Sequence, residues 1–116
     1  MRPQDLPIYR VTYELMLKVT HLVRHFRRDL KQSLGGRITD ACVDVVVHVY
    51  RANSARAPEQ RRRHINRILE GVQVLELSLR LAHDLQMISH KQHGEVVELT
   101  DEVGRQAHGW LKSTRS

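Results

Sequence analysis

Apolar residues recur in steps of three and four along almost the whole chain, and this spacing constrains the fold more than any other feature. Such steps place side chains on one face of an α-helix, which turns once every ~3.6 residues. The first apolar stripe contains Ile8, Val11, Leu15, Val19, Leu22, Phe26, Leu30 and Leu34. It predicts one long first helix that ends at Gly35-Gly36, because glycine readily adopts the left-handed conformation that closes a helix.

A second apolar stripe follows directly after these glycines. Its members are Ile38, Ala41, Cys42, Val45, Val49 and Ala52. The valines of this segment are typical of a strand, but Asp40, Asp44 and His48 recur at four-residue spacing, and a buried strand would place some of them in the core. We therefore predict a second helix here.

Start signals precede two further stripes. Pro58 suits the first turn of a helix, where its missing N–H has no partner to lose. Ser89 with Gln92 three residues later fits a capping box, which predicts the start of another helix. The third stripe contains Ile65, Ile68, Val72, Leu75, Leu79 and Ala82, and the fourth contains Val96, Leu99, Val103, Ala107, Trp110 and Leu111.

The short connections between these helices predict an all-α fold, an antiparallel up-down-up-down four-helix bundle in which residues 1–116 form a single domain. The third predicted helix has more apolar surface than one neighbour can bury. Its second apolar flank contains Leu69, Val74, Leu77, Leu81 and Leu85. We therefore expect several copies of the chain to assemble through the surplus apolar surface.

The charge of the chain is strongly uneven. The 116 residues carry a formal net charge of +6. Residues 1–67 hold 14 Lys and Arg against 6 Asp and Glu, whereas residues 68–116 hold 5 against 7. A basic surface attracts polyanions, and arginine, the commoner of the two basic residues here, can bind phosphate in bidentate fashion. Nucleic acid is the expected partner of the first part of the chain.

Two groups of basic residues are the candidate phosphate contacts. They are Arg24, Arg27, Arg28 and Lys31 on the first predicted helix, and Arg61, Arg62, Arg63 and Arg67 at the start of the third. Within the first group, Arg24, Arg28 and Lys31 share one helical face and repel one another unless an anion neutralises them. In the second group, positive charge at a helix N-terminus opposes the helix dipole. The alternative for both groups is an ordinary solvated helix face, partly paired with acidic neighbours.

No group of residues has the pattern of a catalytic or metal site, so we expect neither enzymatic activity nor a cofactor. Cys42 lies on an apolar stripe, where a thiol is usually inert, and the chain has no glycine-rich phosphate loop. His21 with His25, and His90 with His93, have the spacing of helical metal ligands, but each pair lacks a third ligand. We therefore expect no metal.

Four charged residues alternate with the leucines of the third predicted helix. They are Glu70, Glu76, Arg80 and Asp84. Glu76 and Arg80 are four residues apart, which favours an ion pair within the helix. The alternative is that these charges lie in a subunit interface and fix its register.

Neither a signal peptide nor a membrane span is expected from the sequence. Near the N-terminus no basic segment precedes an apolar stretch, and the apolar runs are too short to cross a bilayer. A single cysteine also cannot form a disulfide within the chain. These features predict a cytoplasmic protein.

Several segments resemble one family of four-helix-bundle proteins. The segments are Leu6-Pro7-Ile8-Tyr9, Tyr50-Arg51-Ala52-Asn53-Ser54, Leu75 through Asp84-Leu85 followed by Ile88-Ser89, and Gly109-Trp110-Leu111-Lys112-Ser113. Their order and separation are similar to those of the accessory variability determinant (Avd) proteins of diversity-generating retroelements. The related proteins encoded in intervening sequences of bacterial ribosomal RNA genes resemble the chain as well.

The resemblance implies a pentameric barrel of bundles. It also implies a non-catalytic subunit that binds the retroelement's reverse transcriptase and its template RNA or DNA and supports mutagenic cDNA synthesis. The positions that bind nucleic acid in the family are basic without a strict motif. By type they correspond here to Arg24, Arg28, Arg61, Arg62, Arg63 and Arg67. The alternative function, from the ribosomal RNA intervening-sequence branch, is an oligomeric protein-interaction scaffold whose charge serves solubility.

Overall fold

A computed structural model describes residues 2–114 of the chain, and it confirms the all-α class. Those residues contain no strand. A 3-10 turn, Pro3–Asp5, precedes four long helices and one single-turn helix. The helices are α1 (Pro7–Val23), α2 (Arg28–Lys31), α3 (Leu34–Ser54), α4 (Pro58–Asp84) and α5 (His90–Ser113).

The four long helices form an antiparallel bundle, as predicted. The ring of Tyr9, near the start of α1, contacts Tyr50, near the end of α3. The start of α4 meets the end of α5, where Arg62 donates to the Thr114 carbonyl. Lys18, late in α1, pairs with Glu95, early in α5, at 3.8 Å. Each long helix therefore packs antiparallel against two others, which is the up-down-up-down arrangement.

The first helix is shorter than its apolar stripe predicts. It ends at Val23 instead of Leu34, and the N–H groups of His25 and Phe26 bond to the carbonyls of Leu22 and Val23 in a tightened last turn. The apolar spacing continues past this end because Phe26 is buried in the core from the connection and not from a helix. At this point the apolar spacing therefore indicates a buried side chain but not a helical backbone.

The prediction that Gly35-Gly36 closes the first helix is wrong. Both glycines lie in the first turn of α3, and no glycine among the described residues has a positive φ. Gly35 instead permits a close approach, since a Cβ there would lie 2.7 Å from Cγ1 of Val23. The left-handed residue of the described chain is Gln86, with φ 63°, in the connection after α4.

The predicted starts of the last two long helices are confirmed. Pro58 is the first residue of α4. In the turn before α5, the Gln92 N–H donates to Oγ of Ser89 at 3.0 Å, and the Ser89 N–H donates to Oε1 of Gln92 at 2.8 Å. These reciprocal bonds are the capping box, which satisfies two N–H groups that have no partner within the helix.

The core lies along the bundle axis and is built from the predicted stripes. Leu15, Ile38, Ile65, Leu75 and Val96 are among its fully buried side chains. Cys42 is also in this core, as predicted, and burial raises the pKa of its thiol to about 12. A thiol held neutral in an apolar site is a packing residue and not a nucleophile.

Gly71 of α4 lies very close to α3. A Cβ at this position would lie 2.5 Å from Cγ2 of Val45 and 3.7 Å from the Ala41 carbonyl oxygen. Val45 itself is fully buried, so it has little room to move. The absence of a side chain at Gly71 therefore sets how tightly these two helices pack.

We predict that Gly71→Ala destabilises the bundle. Overpacking against Val45 costs about 1–3 kcal/mol, which exceeds the roughly 1 kcal/mol that alanine gains over glycine in a helix. Gly104→Ala is the matched control, because nothing lies within 4 Å of a Cβ at Gly104 in α5. Urea unfolding should show a lower midpoint for Gly71→Ala and an equal or higher one for Gly104→Ala. A stabilised Gly71→Ala would contradict the close approach.

Candidate nucleic-acid interface

The two groups of predicted phosphate contacts lie at opposite ends of the bundle. Residues 24–31 belong to the connection between α1 and α3, whereas residues 61–63 belong to the start of α4, beside the connection from α3. In an up-down bundle, consecutive connections lie at opposite ends. The longest dimension of the molecule is 46 Å. The structure does not bring the two groups together into one patch.

The first group does not form the predicted helical face. Arg24 follows the last residue of α1, Arg27 has an extended backbone before α2, and Arg28 and Lys31 lie on the single turn of α2. All four side chains are exposed. The prediction of one shared face for Arg24, Arg28 and Lys31 is therefore wrong, because it assumed a helix that continued to Leu34.

Arg61 binds the end of the preceding helix. Its Nε donates to the Ala52 carbonyl at 3.0 Å, and its Nη2 donates to the Ala55 carbonyl at 2.8 Å. The carbonyls at the C-terminus of α3 have no partner within that helix and carry partial negative charge. This contact explains why a positive residue is stable near the N-terminus of α4. Its guanidinium complements the neighbouring helix end.

Arg62 is also engaged within the bundle. Its Nη1 donates to the carbonyl of Thr114, just after the end of α5, at 3.3 Å. Arg61 and Arg62 thus connect α4 to the ends of α3 and α5. Two of the three consecutive arginines contribute to the tertiary structure, a role that their position in the sequence does not indicate.

Arg63 and Arg67 line a cleft between α3 and α4, together with Arg51. The cleft has a volume of about 620 Å³. Its lining residues are His48, Arg51, Gln60, Arg63, His64, Asn66, Arg67 and Glu70. Arg67 Nη1 lies 4.0 Å from Glu70 Oε2, whereas Arg51 and Arg63 form no ion pair with any residue between positions 2 and 114. The cleft therefore has more positive than negative groups.

A pair of histidines joins the two helices at this cleft. Nδ1 of His48 and Nδ1 of His64 are 3.1 Å apart, and the two rings are stacked with centroids 5.3 Å apart. Burial, and then the partner ring and Arg51, lower the pKa of His48, while Asp44 opposes the shift. Burial, and then the neighbouring arginines 51, 63 and 67, lower the pKa of His64. Both rings therefore favour the neutral form.

Sequence reasoning missed Arg51, His48 and His64 as possible contacts with a ligand. The pairing of the two histidines could nevertheless have been predicted from the sequence. The three-residue connection between α3 and α4 makes them a helical hairpin, so residues at equal distances from the turn lie opposite one another. His48 and His64 are such a pair. The side chains that point into the groove depend on the packing register, which the sequence does not state.

Two further groups of histidines make ring contacts without completing a metal site. The rings of His21 and His25 meet edge to face at 5.3 Å, and His83 stacks on His93 at 4.6 Å with His90 nearby. Among residues 2–114, no three His, Cys, Asp or Glu side chains are placed to hold a metal ion.

The four charged residues of α4 that alternate with its leucines, Glu70, Glu76, Arg80 and Asp84, are exposed in the single chain. The expected ion pair between Glu76 and Arg80 is not formed within the described part of the chain.

None of the helices between residues 2 and 114 has both the length and the apolar character needed to span a membrane.

A family model described as bAvd-like matches residues 7–114, which include all four long helices. No curated protein matches the chain. The matched range also contains both groups of basic residues and the cleft between α3 and α4.

We predict that Arg61→Gln destabilises the protein. The substitution leaves the carbonyls of Ala52 and Ala55 without the guanidinium, and the loss of charged hydrogen bonds of this kind costs about 1–3 kcal/mol. Arg63→Gln removes the same charge from a nearby residue of α4, whose side chain is exposed, and should change stability by less than about 0.5 kcal/mol. Thermal or urea unfolding of both variants makes the comparison. Equal effects would show that Arg61 does not act as a cap.

Proposed function

Because the chain belongs to the bAvd-like family, we propose that it is a non-catalytic accessory subunit of a diversity-generating retroelement. In this proposal it binds the reverse transcriptase and the template RNA or DNA, and it supports mutagenic cDNA synthesis. Proteins of the Avd family are accessory and non-catalytic. Two features of this chain support the proposal: a basic surface that can bind a polyanion, and an exposed apolar surface that can bind a protein.

The observation that carries the nucleic-acid part of the proposal is the cleft between α3 and α4. Arg51, Arg63 and Arg67 come from two helices and converge on it. Guanidinium groups can bind phosphate through two parallel hydrogen bonds, and a phosphodiester backbone presents phosphates whatever the base sequence. Aromatic residues make up only 4% of the chain, so base stacking contributes little. Binding directed at the backbone, with weak sequence preference, fits these features.

Arg24, Arg27, Arg28 and Lys31 remain part of the proposed surface as a separate group at the other end of the bundle. Their exposure leaves them open to a polyanion, apart from Arg27, whose Nε lies 3.6 Å from Asp29 Oδ1. A nucleic acid that contacted both groups on one subunit would have to follow the length of the bundle. Contacts on neighbouring subunits could also add up through avidity.

The observation that favours protein contacts is an exposed apolar stripe on α4. Val74, Leu77 and Leu81 follow one another at helical spacing, and Leu77 is 72% exposed. Val97 of α5 lines the same groove as Leu77. Exposed apolar surface of this kind is typical of subunit or partner interfaces. We propose that the stripe contributes to a homopentamer and that the finished assembly binds the reverse transcriptase.

The same stripe is the basis of the second candidate function, an oligomeric scaffold of the ribosomal RNA intervening-sequence type. In that case the positive charge would serve solubility alone. The two candidates differ in whether the arginines of the cleft bind nucleic acid. Phosphate contacts make binding depend on salt concentration, because each contact releases counterions.

We predict that the double variant Arg63→Gln/Arg67→Gln weakens binding of single-stranded RNA to a similar degree for different sequences. The slope of log affinity against log salt should fall in magnitude by roughly one for each phosphate that the variant no longer binds. Arg105→Gln/Lys91→Gln removes two positive charges from α5 and is the control for net charge. Filter binding at several salt concentrations measures both slopes. Unchanged affinity and slope in a folded Arg63/Arg67 variant would favour the scaffold.

We also predict that the protein in solution has the mass of five chains and that Leu77→Glu dissociates the assembly. A carboxylate in an apolar interface loses its hydration without gaining a partner. Leu17→Glu is the control, because Leu17 is an exposed leucine on α1, away from the stripe. Light scattering coupled to gel filtration measures the mass. A monomeric wild-type protein at micromolar concentration would contradict the assembly, and equal effects of the two variants would contradict the assignment to α4.

A further inference from the structure

The histidine pair in the cleft between α3 and α4 has a proton arrangement fixed by its geometry. At 3.1 Å between the two Nδ1 atoms, one ring must donate an N–H and the other must accept it. The accepting ring is then neutral, with its own proton on Nε2. The intact pair therefore carries either no charge or one positive charge. A second added proton would place two N–H groups face to face and break the contact.

Charged groups approach this pair from both helices that pack against it. On α3, Asp44 acts on His48, and Arg51 acts on both rings. On α4, Arg63 and Arg67 act on the rings, and Glu70 lines the cleft beside Arg67. Asp40 lies farther along the same groove, with Asp44 and Glu70. The cleft thus contains three guanidiniums and one carboxylate, with a second carboxylate beside His48.

An anion in the cleft reverses the balance that keeps the pair neutral. Without an anion, the arginines oppose the addition of a proton to either ring. When an anion binds the same arginines, it offsets their field and attracts positive charge on the rings. Since binding favours the protonated pair, protonation must equally favour binding, because the two equilibria are linked.

We infer that the cleft is a phosphate-binding site in which the His48–His64 pair gains one proton as the phosphate binds. The proton comes from solvent and is added to Nε2 of the donating ring, so the Nδ1–H···Nδ1 contact is retained. The identification of the natural ligand as a phosphodiester of nucleic acid rests on the proposed function. The anion chemistry itself rests on the cleft alone.

Phosphate fits the lining of the cleft better than other ligands do. Three guanidiniums disfavour a metal cation, although histidine pairs often bind metals. Gln60 and Asn66 supply neutral amide donors beside the arginines. The volume of about 620 Å³ exceeds that of one phosphate group and leaves room for the adjoining sugar and backbone. A phosphodiester and a free inorganic anion share this chemistry, so the test needs one arm for each.

The first arm uses an inorganic anion and measures the protonation of the two imidazole rings directly. Sulfate is the probe, because it remains a dianion over the pH range in which histidine titrates, whereas inorganic phosphate changes its own charge. NMR titration of the imidazole signals in the full chain should show that sulfate raises the titration midpoints of His48 and His64 by about one pH unit. His93, which stacks on His83 away from the arginines of the cleft, is the internal control and should shift much less.

Arg51→Gln/Arg63→Gln is the variant for this arm. It keeps both rings and removes two exposed guanidiniums, so it should fold as the wild type does. The sulfate effect on His48 and His64 should then disappear. If sulfate shifts all histidines alike, or shifts His48 and His64 equally in the variant, the cleft is not an anion site and the inference is wrong.

The second arm measures binding of a single-stranded oligoribonucleotide at constant salt. Its phosphodiesters do not titrate in this range. Between about pH 7.5 and about pH 5.5 the affinity should rise by roughly three- to tenfold, the effect of one proton taken up. His48→Gln/His64→Gln should remove this rise. His90→Gln/His108→Gln, which removes two exposed histidines from α5, should retain it.

The two arms separate failure of this inference from failure of the proposed function. RNA binding that is equally pH-dependent in both histidine variants would overturn the proton-linked site and leave the nucleic-acid function intact. A sulfate effect on His48 and His64 without any RNA binding would support the anion site and overturn its nucleic-acid ligand. Circular dichroism of each variant shows whether an absent response reflects an unfolded protein.

Discussion

The close packing of α3 against α4 underlies the other features of this fold. At one end of this hairpin, Arg61 donates to the carbonyls of Ala52 and Ala55. Nearer the middle, the missing side chain of Gly71 lets α4 approach Val45. These two contacts fix the register of the helices. That register in turn places His48 opposite His64 and Arg51 beside Arg63, so the basic cleft is a consequence of how the hairpin packs.

The basic residues divide into two kinds that their sequence positions do not separate. Arg61 and Arg62 donate to backbone carbonyls at helix ends, where their charge complements the helix dipole and contributes to folding. Arg51, Arg63 and Arg67 border an open cleft. A row of neighbouring arginines can thus contain both structural and surface residues, because successive residues of a helix point about 100° apart.

The apolar residues divide in a similar way. One stripe of α4, which includes Ile68, Leu75 and Leu79, is buried in the bundle, whereas Leu77 and Leu81 on another side of the helix are exposed. The first apolar stripe also contains residues with different backbone conformations, because Phe26 reaches the core from a connection and not from a helix. Apolar spacing indicates which side chains are buried, but it does not indicate whether the backbone between them is helical.

Features that depend on neighbours within a few residues could be predicted from the sequence. The spacing of Leu15, Val45 and Leu75 with their stripes set the all-α class, and Pro58 and the Ser89–Gln92 capping box set two helix starts, because propensity and capping act locally. The sequence did not predict where α1 ends, what Gly35 does or which arginines border the cleft. Each of these depends on side chains from helices far apart in sequence, and the packing register that brings them together is a property of the whole core.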